Sequence, residues 1–429
     1  MACPCGLQHI YIAMEAGAGR KGRGLATQLR ARYHDGWYRS GLILQFISTR
    51  GISGIQRVAK RKIQQRGRKM KGIHTMPKYR SAIIGCGGRA YGHANAYQLI
   101  SRGELVACAN RSDTARREKF AETFGITGYA NAEEMLRTEK PDLVHLVTMP
   151  DQWHELMPMV SELGVPACLV EKPIACGVED WRLLCELEKR TATKFGVNKQ
   201  FRWHPDFMRF RRVLQYDELG SLRFLDFSCG MNIAAQGTHI IDWAMFLNGD
   251  SPIVRVFGNA SGTELLESDY PAPDTTSCQV LFENGVYGLW NTGFTSPRVI
   301  NDPASYKHCR IAAYTDTGRV RFEEFGTWEI TCPKLSEYSM FPTSPETWRA
   351  NNDRAQADLT NAMFDWIEDD TRPVETNLKL ALHQFNAILG IYASAISHKP
   401  IDIPFDPPVD LDSQLREALS RSRPDHAKI

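Results

Sequence analysis

Residues 80–93 decide the fold, and they read Arg80-Ser-Ala-Ile-Ile-Gly-Cys-Gly-Gly-Arg-Ala-Tyr-Gly-His93. Residues 81–85 are predicted to form a buried strand that ends in glycine. Gly85, Gly87 and Ala90 then fill the small-residue positions of a G-x-G-x-x-G/A turn, and residues 91–100 are compatible with a helix. This order brings backbone N–H groups and a helix N-terminus together, which favours binding of a pyrophosphate. The same turn also occurs for packing reasons, so the rest of the chain has to supply the context.

Composition places the chain among globular proteins of two or three domains, because it has 429 residues, of which 43% are hydrophobic and 24% charged. No apolar run approaches the length that spans a bilayer. The 11 cysteines are odd in number and include no C-x-x-C pair, which favours reduced thiols over a disulfide framework or a zinc finger. We therefore expect a cytoplasmic protein with no membrane partner and no metal site.

The positive charge of the chain is concentrated in residues 1–76. They hold 15 of the 52 Lys and Arg but only 2 of the 49 Asp and Glu, which leaves 37 basic and 47 acidic residues in the rest. A nucleic-acid partner is therefore not expected for the folded body. Three interpretations of this basic, unpatterned segment stay open: translated upstream sequence with the true start at Met76, a targeting leader, or a functional basic arm.

Residues 77–200 alternate apolar runs with amphipathic helical patterns. Further buried strands are predicted at 104–110, 142–148 and 166–171, each followed by a helix. Such alternation predicts a doubly wound parallel sheet, a Rossmann domain of the α/β class, which binds ligands at the carboxyl ends of its strands. Gly85, Asn110, Thr148 and Lys172 all lie at such ends.

Residues 201–404 follow a different pattern, with short strand-like runs at close intervals. Asn284-Gly285 between two apolar runs predicts a hairpin, and late helices are predicted at 353–367 and 377–394. The sequence therefore predicts a second, α+β domain built on a mostly antiparallel open sheet, with residues 405–429 as a polar tail.

Four landmarks in order resemble the glucose-fructose oxidoreductase / inositol dehydrogenase (Gfo/Idh/MocA) family: Gly85-Cys-Gly-Gly-Arg-Ala90, Thr148-Met-Pro150 with His154, Glu171-Lys-Pro173, and Gly237-Thr-His-Ile-Ile-Asp242. The resemblance covers roughly residues 78–404. It implies transfer of hydride between NAD(P) and a sugar, cyclitol or related polyhydroxy compound, with the second domain supplying the substrate pocket and a homo-oligomer interface.

The resemblance also assigns roles to individual residues. It makes Lys172 a catalytic and cofactor-contacting lysine, and His239 the proton-transfer residue, with Asp242 beside it on one helix face. Outside the family, Lys172 reads as an exposed lysine at a strand end, and His239 as a histidine capped by its own aspartate. The expected cofactor contacts are Gly85, Gly87, Gly88, Arg89, Ala90, Asn110, Arg111, Thr148, Pro150, His154, Glu171 and Lys172, and the expected substrate contacts are Arg202, His204 and His239.

The chain departs from the family pattern at Ala235, where inositol dehydrogenase-like members carry an aspartate four residues before the histidine. Either Lys172 and His239 suffice, or another residue substitutes, or the chain binds its ligands without dehydrogenation. Two alternatives to a dehydrogenase therefore remain: an NAD-dependent glycosidase of the same fold and a non-catalytic cofactor-binding regulator.

The choice of dinucleotide depends on Asn110-Arg111 at the end of the second strand. An acidic residue there would bind the ribose of NAD, whereas Asn110 carries no charge and Arg111 can pair with the 2′-phosphate of NADP. We therefore predict NADP rather than NAD. The alternative is that Arg111 stacks on the adenine and NAD still binds.

Overall fold

A computed structural model describes residues 79–297, 308–324, 328–333, 339–340 and 345–421. The basic segment 1–76 lies outside these residues, so its three interpretations remain predictions. No helix within the described ranges is long and apolar enough to cross a membrane.

The first sheet has six strands, which pair in parallel in the order β3-β2-β1-β4-β5-β6. They are β1 (Tyr79–Ile84), β2 (Gly103–Ala109), β3 (Thr127–Tyr129), β4 (Leu143–Leu146), β5 (Ala167–Val170) and β6 (Lys194–Val197). This is the strand order of a dinucleotide-binding sheet, so the predicted Rossmann domain is confirmed. The short edge strands β3 and β6 were not predicted.

Five helices connect these strands: α1 (Gly88–Ala96), α2 (Thr114–Phe124), α3 (Ala132–Glu139), α4 (Trp153–Glu162) and α5 (Val178–Arg190). Helix α1 begins at Gly88, earlier than the predicted start at Tyr91, and a 3-10 turn at Tyr97–Leu99 follows it. Residues 88–90 therefore belong to the first helical turn, and the N-terminus of α1 lies directly after the glycines.

The second sheet has nine strands in the order β14-β13-β12-β11-β7-β10-β9-β8-β15. They are β7 (Leu222–Cys229), β8 (Ile253–Ser261), β9 (Thr275–Phe282), β10 (Tyr287–Thr292), β11 (Cys309–Thr315), β12 (Arg319–Glu323), β13 (Trp328–Thr331), β14 (Ser339–Met340) and β15 (Ile401–Asp402). Only β7 and β10 pair in parallel among these strands, so the predicted mostly antiparallel sheet is confirmed. Gly285, at φ +84°, forms the predicted hairpin turn between β9 and β10.

Five more helices accompany the second sheet: α6 (Pro205–Val213), α7 (Gly237–Leu247), α8 (Pro345–Glu368), α9 (Leu378–Ser397) and α10 (Leu411–Arg421). Helix α7 is buried along its whole length, and α9 packs on β8. Helix α10 lies in the segment expected to be a polar tail, and it buries Leu411, Leu415 and Leu419, which are four residues apart on one face.

Helix α8 belongs to the C-terminal part of the chain but packs against the first sheet. Met363 and Phe364 share a buried cluster with Leu143 of β4 and Leu169 of β5. The Phe364 ring also stacks on Tyr79 at a centroid distance of 4.6 Å. The Rossmann sheet is therefore covered on this side by a helix that follows β14 in the sequence.

Phe364→Ala tests how much this covering helix contributes to stability. Phe364 is fully buried, so we expect the free energy of unfolding to fall by about 3–5 kcal/mol, measured as a lower urea midpoint. Arg354→Ala on the same helix is the control, because Arg354 is exposed and its loss should change stability by less than about 0.5 kcal/mol. Equal midpoints for the two variants would contradict the packing described.

Candidate active site

A cleft of about 570 Å³ lies where the strands of the first sheet end. Nine of the predicted cofactor residues line it: Gly85, Gly87, Gly88, Arg89, Asn110, Arg111, Thr148, Glu171 and Lys172. They follow β1, β2, β4 and β5, whose carboxyl ends meet at one edge of a parallel sheet. The parallel topology therefore brings together residues that are up to 87 positions apart in the sequence.

The glycine turn is shaped by two different requirements. Gly85 has φ +101°, and a Cβ there would lie 2.4 Å from the carbonyl oxygen of Val147, so only glycine fits. A Cβ on Gly87 or Gly88 would meet nothing within 4 Å, so their backbone is open to the cleft at the N-terminus of α1. This cradle has the form that accepts a pyrophosphate. Ala90 is buried in the core behind the turn and does not line the cleft.

The end of β2 forms a basic rim on the cleft. Arg111 lines it, and so do Ser112 and Arg116, which sequence reasoning missed. The Asn110 side chain donates to the Asp113 carbonyl at 3.4 Å. As an amide, it adds no charge to the rim. Glu133 also lines the cleft, but its carboxylate accepts two bonds from Arg137, at 2.7 and 3.0 Å.

Glu171 is the most heavily bonded group at the cleft. Its Oε1 accepts hydrogen bonds from Arg89 Nε at 2.6 Å, His93 Nε2 at 2.8 Å and Asn198 Nδ2 at 2.8 Å. Burial alone would raise its pKa, but the charge of Arg89 and the bond from His93 outweigh burial and hold the pKa of Glu171 well below its usual range. Glu171 is therefore an ionised, buried anchor.

Lys172 follows Glu171 and is partly buried. Its Nζ donates to the backbone carbonyl of Ala235 at 3.2 Å and lies 5.2 Å from the centroid of the Tyr270 ring. The Ala235 carbonyl accepts a second bond, from the Thr238 hydroxyl at 2.9 Å. Burial lowers the pKa of Lys172, and the charge of Glu171 opposes this shift. A backbone carbonyl therefore holds the lysine at the position where inositol dehydrogenase-like proteins carry an aspartate.

His239 and Asp242 lie buried on α7, as their spacing predicts. Burial, followed by the positive charge of Lys172, holds the pKa of His239 well below its usual value, so the imidazole is neutral. The Asp242 carboxylate is bonded to other residues: it accepts from Arg202 Nε at 2.9 Å, Arg202 Nη2 at 2.8 Å and Gln384 Nε2 at 3.0 Å. Neither His239 nor Asp242 lines the cleft itself.

The structure does not bring Arg202 or His204, expected substrate contacts, to the cleft. The Arg202 guanidinium is buried between Asp242 and Asp250, at 2.8 Å from each. His204 caps α6, its ring centroid lies 3.9 Å from that of Trp348, and burial lowers its pKa to about 4. Both residues hold the second domain together.

Two expected cofactor contacts also lie outside the cleft lining. His154 is exposed in the first turn of α4, and Pro150 is buried in the 3-10 turn that precedes it. Their neighbours Met149, Gln152 and Glu155 line the cleft instead. The segment is correctly placed, but the side chains that face the cleft are different ones.

Tyr270 is the main residue that sequence reasoning missed. It lies in the loop between β8 and β9, lines the cleft, and covers Lys172 from the second domain. No motif marks it, since a tyrosine in a loop has no spacing signal. Among the described residues there is no group of three or more His, Cys, Asp or Glu that could hold a metal ion.

Comparison with known proteins relates the part of the chain that forms the first sheet to a family. Residues 79–199 match the family described as "Oxidoreductase family, NAD-binding Rossmann fold". D-apiose dehydrogenase from Paraburkholderia graminis is 28% identical over 240 residues, which are 52% of this chain and 62% of that relative. The chain thus spans less than two thirds of this curated relative's length.

Solved structures show the same fold at low sequence identity. An oxidoreductase from Agrobacterium radiobacter in complex with NAD⁺, L-tartaric acid and magnesium superposes with a TM-score of 0.65 at 18% identity, over 76% of this chain and 98% of that one. The WlbA dehydrogenase from Bordetella pertussis in complex with NADH and UDP-GlcNAcA gives 0.61 at 18%, over 77% and 99%. The match identifies residues 79–199 as the NAD-binding Rossmann domain of the Gfo/Idh/MocA oxidoreductase family. The solved structures show that the fold is shared over about three quarters of the chain.

Proposed function

We propose that the chain is an NAD(P)-dependent dehydrogenase acting on the CH–OH group of a sugar, cyclitol or related polyhydroxy compound. The observation that carries this proposal is Lys172, whose pKa is lowered by burial, between the Ala235 carbonyl and the Tyr270 ring at the end of the glycine-lined cleft. The activity named for the Paraburkholderia relative, a sugar dehydrogenase, supports the same reaction class.

The glycine cradle fits a dinucleotide. Gly87 and Gly88 leave room for a pyrophosphate, which the N–H groups at the start of α1 would bind. The bound nicotinamide would supply the hydride acceptor, and Thr148 and Lys172 lie along the same cleft. The substrate would bind beside Tyr270, because this side chain brings the second domain to the lining of the cleft.

Oxidation of an alcohol releases a proton, and Lys172 is placed to take it. Its lowered pKa raises the fraction of neutral amine near neutral pH, and the Ala235 carbonyl fixes its direction. His239 is kept neutral near Lys172 but lies outside the cleft lining, so it would bond the substrate hydroxyl where the substrate reaches past Lys172 toward α7. Asp242 would act as a positioning residue, because its bonds to Arg202 and Gln384 hold α7 in place.

Replacing Lys172 tests the mechanism. Lys172→Ala should lower kcat for oxidation by about 10²–10⁴-fold, the usual contribution of a general base, while the melting temperature stays near wild type. In the wild-type enzyme, kcat/KM for oxidation should rise with pH through the lowered pKa of the lysine, and reduction should fall, because reduction needs the ammonium. Lys172→Arg should remove this pH dependence, since arginine stays protonated.

The substrate assay for Lys172 separates the three candidate functions. Net reduction of cofactor with a panel of sugars and cyclitols supports the dehydrogenase, and near wild-type turnover in Lys172→Ala rejects the mechanism. Hydrolysis of an aryl glycoside without net reduction would instead identify a glycosidase. Tight cofactor binding with neither activity would identify a regulator.

The basic rim at the end of β2 supports NADP as the preferred cofactor. Arg111 and Arg116 line the cleft there, and Ser112 lies between them in the lining. The side chain of Asn110 is neutral, so it does not repel a 2′-phosphate. Two guanidinium groups and a hydroxyl form a set of donors suited to a phosphate.

Arg111→Ala is expected to weaken NADPH binding and leave NADH binding almost unchanged. A charge-assisted hydrogen bond contributes about 1.5–3 kcal/mol, so the dissociation constant for NADPH should rise roughly 10- to 150-fold. Equal weakening of both cofactors would mean that Arg111 stacks on the adenine. A wild-type protein that binds NADH tenfold more tightly than NADPH would reject the preference.

The outer face of the second sheet is the surface proposed for a second copy of the chain. Phe257 of β8 is 36% exposed, and Tyr287 and Leu289 of β10 are 54% and 39% exposed; β9 lies between the two strands. Tyr287 pairs in register with Phe224 of β7, so the apolar face continues across the sheet. Exposed apolar side chains grouped in this way are typical of a protein interface.

Charges placed on this face should separate the copies. The double change Tyr287→Glu and Leu289→Glu is expected to reduce the mass measured by light scattering from an oligomer to that of the 48.5 kDa chain. Leu99→Glu is the matched control, because Leu99 is 58% exposed but lies outside the second sheet. A wild-type protein that is already monomeric, or a variant that keeps the oligomer, would refute the proposed interface.

A further inference from the structure

A chain of hydrogen bonds runs from Glu171 away from the cleft. His93 Nε2 lies 2.8 Å from Glu171 Oε1, and His93 Nδ1 lies 3.0 Å from His145 Nδ1. His145 Nε2 is then 2.8 Å from the Tyr97 hydroxyl. Both imidazoles are fully buried, and none of these three residues lines the cleft.

The position of every proton in this chain follows from the charge of Glu171. An ionised carboxylate only accepts, so His93 must carry its proton on Nε2. A neutral His93 then accepts at Nδ1, and the facing Nδ1 of His145 must donate. His145 is left to accept at Nε2, which the Tyr97 hydroxyl satisfies. All donors therefore point toward Glu171.

Both imidazoles are held neutral by their surroundings. Burial lowers the pKa of His93 and lowers that of His145 well below its usual value. In addition, the donor from His145 occupies the second nitrogen of His93, which is the atom that would bind an additional proton. The charge of Glu171 is consequently opposed by Arg89 and Lys172 but not by an imidazolium.

We propose that Tyr97, His145 and His93 are positioning residues that hold His93 as a neutral donor, so that Glu171 keeps its orientation and its charge beside Lys172. The effect on turnover rests on the proposed role of Lys172 as the base, whereas the tautomers of the two histidines do not depend on it.

Several other groups also affect the charges of Glu171 and Lys172. They are unchanged when Tyr97 or His145 is replaced. They are Arg89 of α1, Cys229 of β7, Cys309 of β11, His239 of α7, Lys199 and Tyr270. Because they are common to the wild-type protein and its variants, a change in pH dependence can be assigned to the histidine chain.

The direct test measures which nitrogens carry protons. In the full chain labelled with ¹⁵N-histidine, wild-type His93 should be protonated on Nε2 alone and His145 on Nδ1 alone near neutral pH. In His145→Leu the second nitrogen of His93 loses its donor, so His93 should take up a proton about one pH unit higher than in wild type. Tyr97→Phe removes one oxygen, keeps the ring, and should free Nε2 of His145 for protonation in the same way.

Turnover provides the second readout. In His145→Leu, His93 is charged only at pH values below its raised pKa, where it would offset Glu171 and favour the neutral amine of Lys172. Oxidation kcat/KM should therefore fall less steeply toward acid pH in His145→Leu than in wild type. Cofactor KM should change little, because none of the chain residues lines the cleft. His383→Leu is the matched control: His383 lies on α9 and accepts a bond from Ile253 N at 3.0 Å, so it is not a member of the Tyr97–His145–His93 chain, and its loss should leave both titrations unmoved.

The outcomes separate the two proposals. A wild-type His93 protonated on both nitrogens near neutral pH, or a His93 titration that His145→Leu leaves unchanged, overturns the positioning role. A wild-type protein without any turnover overturns the proposed function, while the nitrogen titration still decides how the chain is protonated.

Discussion

One oxygen atom, Oε1 of Glu171, connects the parts of the described structure. It accepts bonds from Arg89 and His93 of α1 and from Asn198, which follows β6. Gln356 of α8 closes a ring by donating to Asn198 Oδ1 at 2.9 Å and accepting from Arg89 Nη2 at 2.7 Å. The glycine turn, the end of β5, the exit to the second domain and the covering helix are thus fixed by one buried carboxylate. Removing one partner of such a network leaves a buried charge unsatisfied, which makes the network a constraint on the whole fold.

The same carboxylate sets the chemistry of the next residue. The hydrogen bonds of Glu171 are structural, but its charge also acts on Lys172. Without that charge, burial would lower the pKa of Lys172 further. The fold and the proposed mechanism therefore share a single group. A change at Glu171 cannot separate the two, whereas Tyr97, His145 and His93 approach it from the side away from the cleft.

The sequence predicts those parts of the fold that depend on local pattern. The strands β1, β2, β4 and β5 are apolar runs, and the glycine turn has a fixed spacing, so nine residues that line the cleft could be named from the sequence. The edge strands β3 and β6 have three and four residues with little apolar pattern, and they form because a neighbouring strand offers its backbone. Helix α8 covers the first sheet through contacts between residues that are far apart in the sequence. The local hydrophobic pattern of the helix does not show which sheet it packs on.

The type of a residue indicates what chemistry its side chain can perform, but not which residues it contacts in the fold. Arg202 and His204 were expected to contact the substrate, but neither lines the cleft. The partners that bury Arg202, Asp242 and Asp250, lie 40 and 48 positions away, so the sequence gives no sign that this charge is already paired. Tyr270 is the converse case: it has no motif, and the folding of the β8–β9 loop alone brings it over Lys172.

Under the proposed mechanism, the carbonyl of Ala235 takes the place of the aspartate that inositol dehydrogenase-like proteins carry. A carboxylate beside Lys172 would favour the ammonium and raise its pKa, whereas a neutral backbone carbonyl favours the ammonium less. An ammonium and a neutral amine both have N–H groups, so either form of Lys172 can donate to the Ala235 oxygen at 3.2 Å. The lysine can therefore lose and regain a proton without losing its anchor. The negative charge that balances the ammonium form comes from Glu171 instead, where Arg89, His93 and Asn198 hold it in one position.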